Sequence, residues 1–258
     1  MVEVSCIILS NLNDLFVKER TIPSIIENSK SHNIEIIVVD NSPTQDFDIA
    51  FSSLTMYDKH NIKVIHSDPW HIPKAYNKGV SEAKGKYIVC MDDDDYYPPE
   101  RVEHAVDIMM KSGANLAGSS LLYVFFLMQN TLYQRGPYKE NHSTHQSMAY
   151  SKKYANTHHY NMNKVYGEEW EFTKGFTEKM VQLDAKKTVV CIAHPNNTIR
   201  KRIGAPVNFN FYNHVNDREV TAYYFKLAEV LRPIPYWKRK RLNKQKYIPR
   251  IINTQNNL

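Results

Sequence analysis

Tyr87-Ile88-Val89-Cys90-Met91-Asp92-Asp93-Asp94-Asp95-Tyr96-Tyr97-Pro98 is the stretch that decides the fold. Residues 87–91 form a short apolar run suited to a buried strand, and four carboxylates begin where it stops. Two unit charges about 4 Å apart repel by roughly 4 kcal/mol near a protein surface. Aspartate also gains little in a strand or a helix. A divalent cation offsets that repulsion, because hard oxygen donors suit Mg²⁺ and Mn²⁺. The competing explanation is a solvated acidic turn ahead of a helix opened by Pro98. Delivery of the run to a sheet edge by an apolar strand favours ligand binding. In extended backbone alternate side chains share a face, so Asp92 and Asp94 point together and Asp93 and Asp95 point the other way.

Working outward, Ala75, Gly79 and Ala83 give the preceding helix, over residues 73–83, a small-residue face that packs close to a sheet. Further upstream lie apolar runs at residues 4–9, 34–39 and 62–66, the second ending abruptly at Asp40-Asn41-Ser42-Pro43. Between the first two, Phe16, Ile22, Ile25 and Ile26 mark a helix, with Pro23 as a break or late start. Downstream, Pro98-Pro99 opens a helix that Gly113 closes. Strands alternating with helices predict an α/β fold built on a mostly parallel sheet. Such sheets bind ligands beyond the carboxyl ends of their strands, where Asp40 and the aspartate run both fall. Residues 136–165 are polar and rich in His, Tyr and Asn, which predicts a loop-rich cover on one side of the crevice. A further strand is expected over residues 187–193 and a helix over residues 220–231.

At 258 residues, 42% hydrophobic and 23% charged, the chain suits one large α/β domain, or one domain with an appended tail. It contains no apolar stretch of about eighteen residues, and its first residues do not read as a signal peptide. Cys6, Cys90 and Cys191 each sit in an apolar run; an odd number so placed predicts reduced thiols and a cytoplasmic setting. The net charge of +6 gathers late, at Arg200-Lys201-Arg202 and Lys238-Arg239-Lys240-Arg241. Those clusters suit a diphosphate, an anionic acceptor or peripheral contact with a membrane surface. Nucleic acid is not expected as a partner: the acidic run repels phosphates and no basic recognition helix stands out. His142, His145, His158 and His159 fit no familiar zinc spacing and are read as loop histidines.

From Ala75-Tyr76-Asn77-Lys78-Gly79, through Ala83-Lys84-Gly85-Lys86-Tyr87-Ile88, to the aspartates and Pro98, the chain closely resembles the central signature of family 2 glycosyltransferases. These have the α/β fold called GT-A. Ile36-Ile37-Val38-Val39-Asp40 and the turn after Ile7-Ile8-Leu9 look like the family's two nucleotide-binding strand ends. Gly167-Glu168-Glu169-Trp170-Glu171 is similar to its Gly-Glu-Asp-Trp-Glu segment, and Ile192-Ala193-His194-Pro195 to its His-Pro strand end. Glu169 stands where aspartate is more usual, one methylene longer. The Gln-x-x-Arg-Trp motif of processive synthases is absent, which favours single additions.

The resemblance implies an inverting, metal-dependent transfer from a nucleoside-diphosphate sugar, most commonly uridine-linked, to a hydroxyl of a glycan or other acceptor. It implies Mn²⁺ or Mg²⁺ at Asp92, Asp94 and His194, with Asp94 the most direct ligand. Donor contacts fall to Ser10, Asn11, Asp40, Asn77, Asp92 and Asp93, and the general base is Glu169. Lys74 and Lys78 are read as a solvated helix face, and Trp170 or Tyr150 as acceptor-stacking or core residues. The implied organisation is a catalytic domain over residues 1–204, with a nucleotide-sugar half (1–98) and an acceptor half (99–204). A basic, aromatic extension follows over residues 205–258. The alternatives are a nucleotidyltransferase, which would want a glycine-rich loop after the first strand, a nucleic-acid binder, or an inactive relative.

Overall fold

The computed structural model describes residues 2–11, 16–28, 31–44, 61–164, 167–194, 197, 213–215 and 220. The first four strands are β1 (Val4–Ser10), β2 (Ile34–Asp40), β3 (Ile62–His66) and β4 (Tyr87–Asp92). Next come β5 (Leu116–Gly118), β6 (Leu122–Phe126), β7 (Thr131–Arg135), β8 (Ala149–Ser151), β9 (Val181–Gln182), β10 (Val190–Ala193) and β11 (Asn213–His214). The main sheet has seven strands in the order β3-β2-β1-β4-β8-β5-β9; the other four form a smaller sheet, β10-β6-β7-β11. The α/β fold with a large, mostly parallel sheet is therefore as expected. Strands β3, β2, β1 and β4 run parallel; β1, β2 and β4 are buried on both faces, as a parallel sheet covered by helices requires, and β3 is the partly exposed edge.

Helices α1 (Ile22–Asn28), α2 (Ile72–Glu82) and α3 (Arg101–Ser112) cover that sheet. Alternation along the strands sorts the core into two layers. Cys6, Ile8, Val38, Val89 and Met91 pack with Ile22, Ile25, Val106 and Met109 from α1 and α3. Ile7, Leu9, Ile37, Val39 and Cys90 pack with Ala75, Tyr76 and Val80 of α2. Gly79 is where α2 comes closest: a β-carbon there would lie 2.9 Å from a methyl of Ile7 and from one of Val39. Pro23 falls in the first turn of α1, after a π-helical turn at Val17–Thr21, so the helix starts late. α3 ends at Gly113, in the left-handed conformation at φ 67.

The second half departs from expectation. The span 136–165 contains β8, which enters the main sheet antiparallel between β4 and β5. The smaller sheet, with β6 and β7 as a hairpin, was not foreseen. The strand expected over residues 187–193 is shorter: a 3₁₀ turn occupies Ala185–Lys187 and β10 begins at Val190. The helix expected over 220–231 and both basic clusters lie outside the described residues. Among the described residues no helix is long and apolar enough to cross a membrane.

Candidate active site

Strand register brings the carboxyl ends of the parallel strands together: Ser10 lies beside Asp40 across β1 and β2, and Leu9 beside Asp92 across β1 and β4. Beyond them opens a cavity of about 360 Å³, walled by all four aspartates, Asn11, Asn41, Trp70, Tyr76, Arg135, His145, Glu168, Glu169, Cys191 and Asn197, among others.

The acidic run behaves as two pairs. Asp93 and Asp95 are 6% and 1% exposed and turn inward, while Asp92 and Asp94 are half-buried. Asp93 Oδ2 accepts from the Ser10 hydroxyl at 3.1 Å and the Asn11 N–H at 2.6 Å, tying the β1 turn to the run. Asp95 Oδ1 accepts from the Ile192 N–H at 2.9 Å, and Tyr96 exchanges two backbone bonds with Val190. These contacts stitch the run to β10. Asp92 lies between two tyrosines: the Tyr76 hydroxyl donates to its Oδ1 at 2.9 Å, and its own N–H donates to the Tyr97 hydroxyl at 2.6 Å. Burial and the adjacent Asp92 carboxylate hold Tyr76 well above the usual phenol range, so it remains a donor.

Because β10 is registered against the run, its end brings His194 to Asp94. His194 Nε2 lies 3.0 Å from Asp94 Oδ2, which also accepts from Asn197 Nδ2 at 2.8 Å. Asn197 fixes this corner further, accepting from the His194 N–H at 2.7 Å. A carboxylate beside an imidazole is a donor pair that could hold a divalent ion. Among the described residues no cluster of three or more His, Cys, Asp and Glu side chains is poised for a metal, so Asp92, Asp94 and His194 are not a preassembled trio. Of the three, Asp92 and Asp94 line the cavity, while the fully buried His194 side chain reaches Asp94 from off the wall.

Opposite lies α5 (Glu168–Phe172), which follows α4 (Lys152–Ala155) in the chain. Gly167 starts α5 at φ 69, a left-handed conformation that lets the chain turn sharply and present Glu168 and Glu169 to the cavity. Burial, then the neighbouring Glu169 charge and Asp92, push Glu168 up to about 7. Burial also raises Glu169, opposed by backbone hydrogen bonding and by Arg135. His145 packs against Tyr76 with the rings tilted by 33° and centroids 3.8 Å apart, and its Nε2 meets the Tyr160 hydroxyl at 2.7 Å; burial lowers it to about 3, so it is neutral.

Several expected contacts fall elsewhere. Asp40 is fully buried and off the cavity wall: Oδ1 accepts from the Ser42 N–H at 2.9 Å and Oδ2 lies 3.3 Å from His66. Its neighbour Asn41 takes the wall instead. Asn77 also lies off the wall, spending both ends of its amide on the Tyr160 backbone at 2.8 and 3.0 Å. Ser10 acts through Asp93. Lys74 pairs with Asp68, and Lys78 donates to the His66 carbonyl. Tyr150 is core, whereas Trp170 is 58% exposed and meets Phe176 edge-on. Trp70, Arg135, His145 and Glu168 were not assigned from sequence. For Glu168 a signal existed, since the acidic pair Glu168-Glu169 offered two candidates; the others carry no local pattern.

The fold matches solved glycosyltransferases. A Staphylococcus aureus TarS structure (residues 1–349) in complex with UDP-GlcNAc aligns with TM-score 0.52 and 18% identity, covering 79% of this chain and 60% of that one. The Pyrobaculum calidifontis mannosyltransferase PcManGT, in complex with GDP-Man and Mn²⁺, aligns with TM-score 0.55 and 13% identity, covering 74% and 56%. At these identities the likeness concerns the fold. In sequence, a Rickettsia bellii protein named as a glycosyltransferase is 34% identical over 79 residues, or 31% of this chain and 11% of its own length. Bacillus subtilis EpsH, also named as a glycosyltransferase, is 35% identical over 85 residues, or 33% and 24%. The matched stretch thus spans a quarter or less of either relative. The model of glycosyl transferase family 2 matches residues 6–194, and the chain belongs to that family.

Proposed function

We propose that this protein is an inverting, metal-dependent glycosyltransferase that moves a sugar from a nucleoside-diphosphate sugar, UDP-linked, to a hydroxyl of a glycan or other acceptor. The observation that carries the proposal is the sharing of one cavity by Asp94, which the buried His194 meets from off the wall, and the carboxylate of Glu169. The nucleotide lies over the ends of β1 and β2, against Asn11, Asn41 and Trp70, with the β1 turn held by Asp93. Asp94 and His194 would hold Mn²⁺ or Mg²⁺, which supplies Lewis-acid neutralisation of the leaving diphosphate. Asn197 and the registered β10 strand keep that corner in place before substrate arrives. Glu169 takes the proton from the acceptor hydroxyl as it attacks the anomeric carbon. One displacement exchanges the diphosphate for the acceptor oxygen on the opposite face, hence inversion.

The bound donors of the two structural neighbours, UDP-GlcNAc and GDP-Man, support this class of donor, and the Mn²⁺ of the second supports the ion. The three free, buried cysteines support a reducing, cytoplasmic setting, and the basic late clusters a peripheral membrane contact. We keep residues 1–98 as the donor half, 99–204 as the acceptor half and 205–258 as an extension.

Binding of UDP, GDP and their sugars, measured by thermal shift with Mn²⁺ and again with EDTA, tests the proposal. A nucleotide-sugar should raise the melting temperature with Mn²⁺, and chelation should remove most of that rise. Equal shifts in chelator would remove the metal; no shift with any nucleotide, or pyrophosphate release from a nucleoside triphosphate and a sugar phosphate, would overturn the reaction.

A further inference from the structure

Asn77, on α2, closes its amide on the backbone of one residue. Nδ2 donates to the Tyr160 carbonyl at 2.8 Å, and Oδ1 accepts from the Tyr160 N–H at 3.0 Å. Tyr160 lies in a stretch without regular structure, so this one side chain satisfies both polar groups that a strand partner would otherwise take. From there the contacts run to the helix of the proposed base. Tyr160 is 2% exposed, and its ring stacks parallel on that of Phe172, with centroids 4.3 Å and planes 4° apart. The next residue, Asn161, donates to one oxygen of the Glu171 carboxylate, and Lys164 lies 3.8 Å from the other. Glu171 and Phe172 close α5, the five-residue helix that presents Glu168 and Glu169 to the cavity. Thr173 bonds the Glu169 carbonyl through its N–H at 3.0 Å and its hydroxyl at 2.7 Å, so Glu169 follows the end of the helix. The residue before Asn77 serves the other side of the cavity: the Tyr76 hydroxyl donates to Asp92 at 2.9 Å. Consecutive residues of one helical turn thus hold the acidic run and the base helix.

We propose that Asn77 is a positioning residue for Glu169: through Tyr160 and Phe172 it registers α5 on α2, and so sets the base against the donor at the acidic run. The role rests on the proposed transfer reaction, with Glu169 as base. Tyr150 and Tyr154 also hold Phe172, by rings 4.8 Å apart and by a 3.0 Å bond to its carbonyl, so α5 keeps its fold without Asn77. What the amide adds is the placement of that helix relative to α2. Asparagine suits the place because its flat amide sets a donor and an acceptor side by side.

Two variants and two readouts test it. Asn77→Ala removes both bonds to Tyr160, and Phe172→Leu removes the stacked ring while keeping an apolar side chain. In unliganded protein, hydrogen exchange read by mass spectrometry should show residues 168–173 exchanging about tenfold faster in either variant, with β4 as protected as in wild type. With UDP-GlcNAc or GDP-Man as donor and Mn²⁺ present, transfer to water is read as release of UDP or GDP. Its kcat should fall by about 10²-fold, the scale of a misplacement of about 1 Å, while the donor Kd stays at the wild-type value. The two losses should not add in the double variant, since both variants break one path. An unchanged kcat in Asn77→Ala, or exchange that rises equally in β4, overturns the positioning role and leaves the transfer reaction standing. A loss of donor affinity that accounts for the lost turnover overturns it too, by returning Asn77 to the donor site. Failure of the wild-type protein to bind any nucleotide-sugar overturns the transfer reaction and this role with it.

Discussion

Asp94→Ala and Asp95→Ala remove neighbouring carboxylates, and the two variants should fail in opposite ways. Asp95 is 1% exposed and accepts the Ile192 N–H at 2.9 Å; its loss strands a buried donor, at a cost of about 1–3 kcal/mol. The bond also fixes β10 against the acidic run, so no water easily replaces it. For a domain of this size the melting temperature should fall by roughly 2–4 °C per kcal/mol, a total of about 2–12 °C. Asp94 has a side chain 17% exposed, and Asn197 keeps a second acceptor at the Ile192 carbonyl, 3.1 Å away. Asp94→Ala takes a partner from the buried His194 Nε2, but one like charge leaves the run, so it should cost about 1 kcal/mol, less than Asp95→Ala. Its effect should instead be a loss of Mn²⁺-dependent nucleotide affinity of at least tenfold, about 1.4 kcal/mol. Scanning calorimetry without ligand and titration calorimetry of UDP or GDP, with Mn²⁺ and with EDTA, read the two quantities separately. If Asp94→Ala melts as low as Asp95→Ala while binding nucleotide normally, the division into a binding pair and a scaffolding pair is refuted.

Glu169→Gln should retain donor affinity and lose turnover by about 10²–10⁴-fold; near-normal turnover would move the base elsewhere. Glu168, near 7 when folded against 4.5 as a free carboxyl, gives a pH signature. The folded protein keeps a proton that the unfolded chain releases between those values, so stability falls as pH rises through that window. At roughly 1.4 kcal/mol per pH unit the upper limit is about 3 kcal/mol. Glu168→Gln should therefore melt higher than wild type at pH 8 in EDTA and equal to it at pH 4, and the same gain at both values would refute the assignment. Gly79→Val drives methyl groups into Ile7 and Val39 and should lower the urea midpoint by the equivalent of about 1–3 kcal/mol, with an unchanged slope.

Strands β1, β2 and β4 were legible because they are buried on both faces. Runs such as Ile34–Asp40, Glu35 apart, and Tyr87–Asp92 then stay apolar to the carboxyl end of the strand, where Asp92 lines the cavity and Asp40 is buried one residue short of the wall residue Asn41. The two-faced pattern of the acidic run also follows from strand alternation, and burial agrees with it. The other half was less legible for the converse reason. β8 is three residues long and β9 two, too short for a period to register. Asp40 and Asn77 show a second limit: residue type and position at a strand end or helix start do not reveal which partner the side chain meets first. In both cases that partner is in the protein, the Ser42 N–H or the Tyr160 backbone. Arg135 was illegible because its relevance depends on a hairpin folding back over the cavity.

The insertion of β8 beside β4 bears on how the chain comes to be made. A ribosome that has released residues 1–112 has supplied β1 to β4, yet β4 still presents an unpaired edge until Ala149–Ser151 emerge. An open, apolar edge invites pairing with another nascent chain. Truncations that stop ahead of β8 should accordingly collect in inclusion bodies, and residues 1–98 and 99–204 should not be expressible apart.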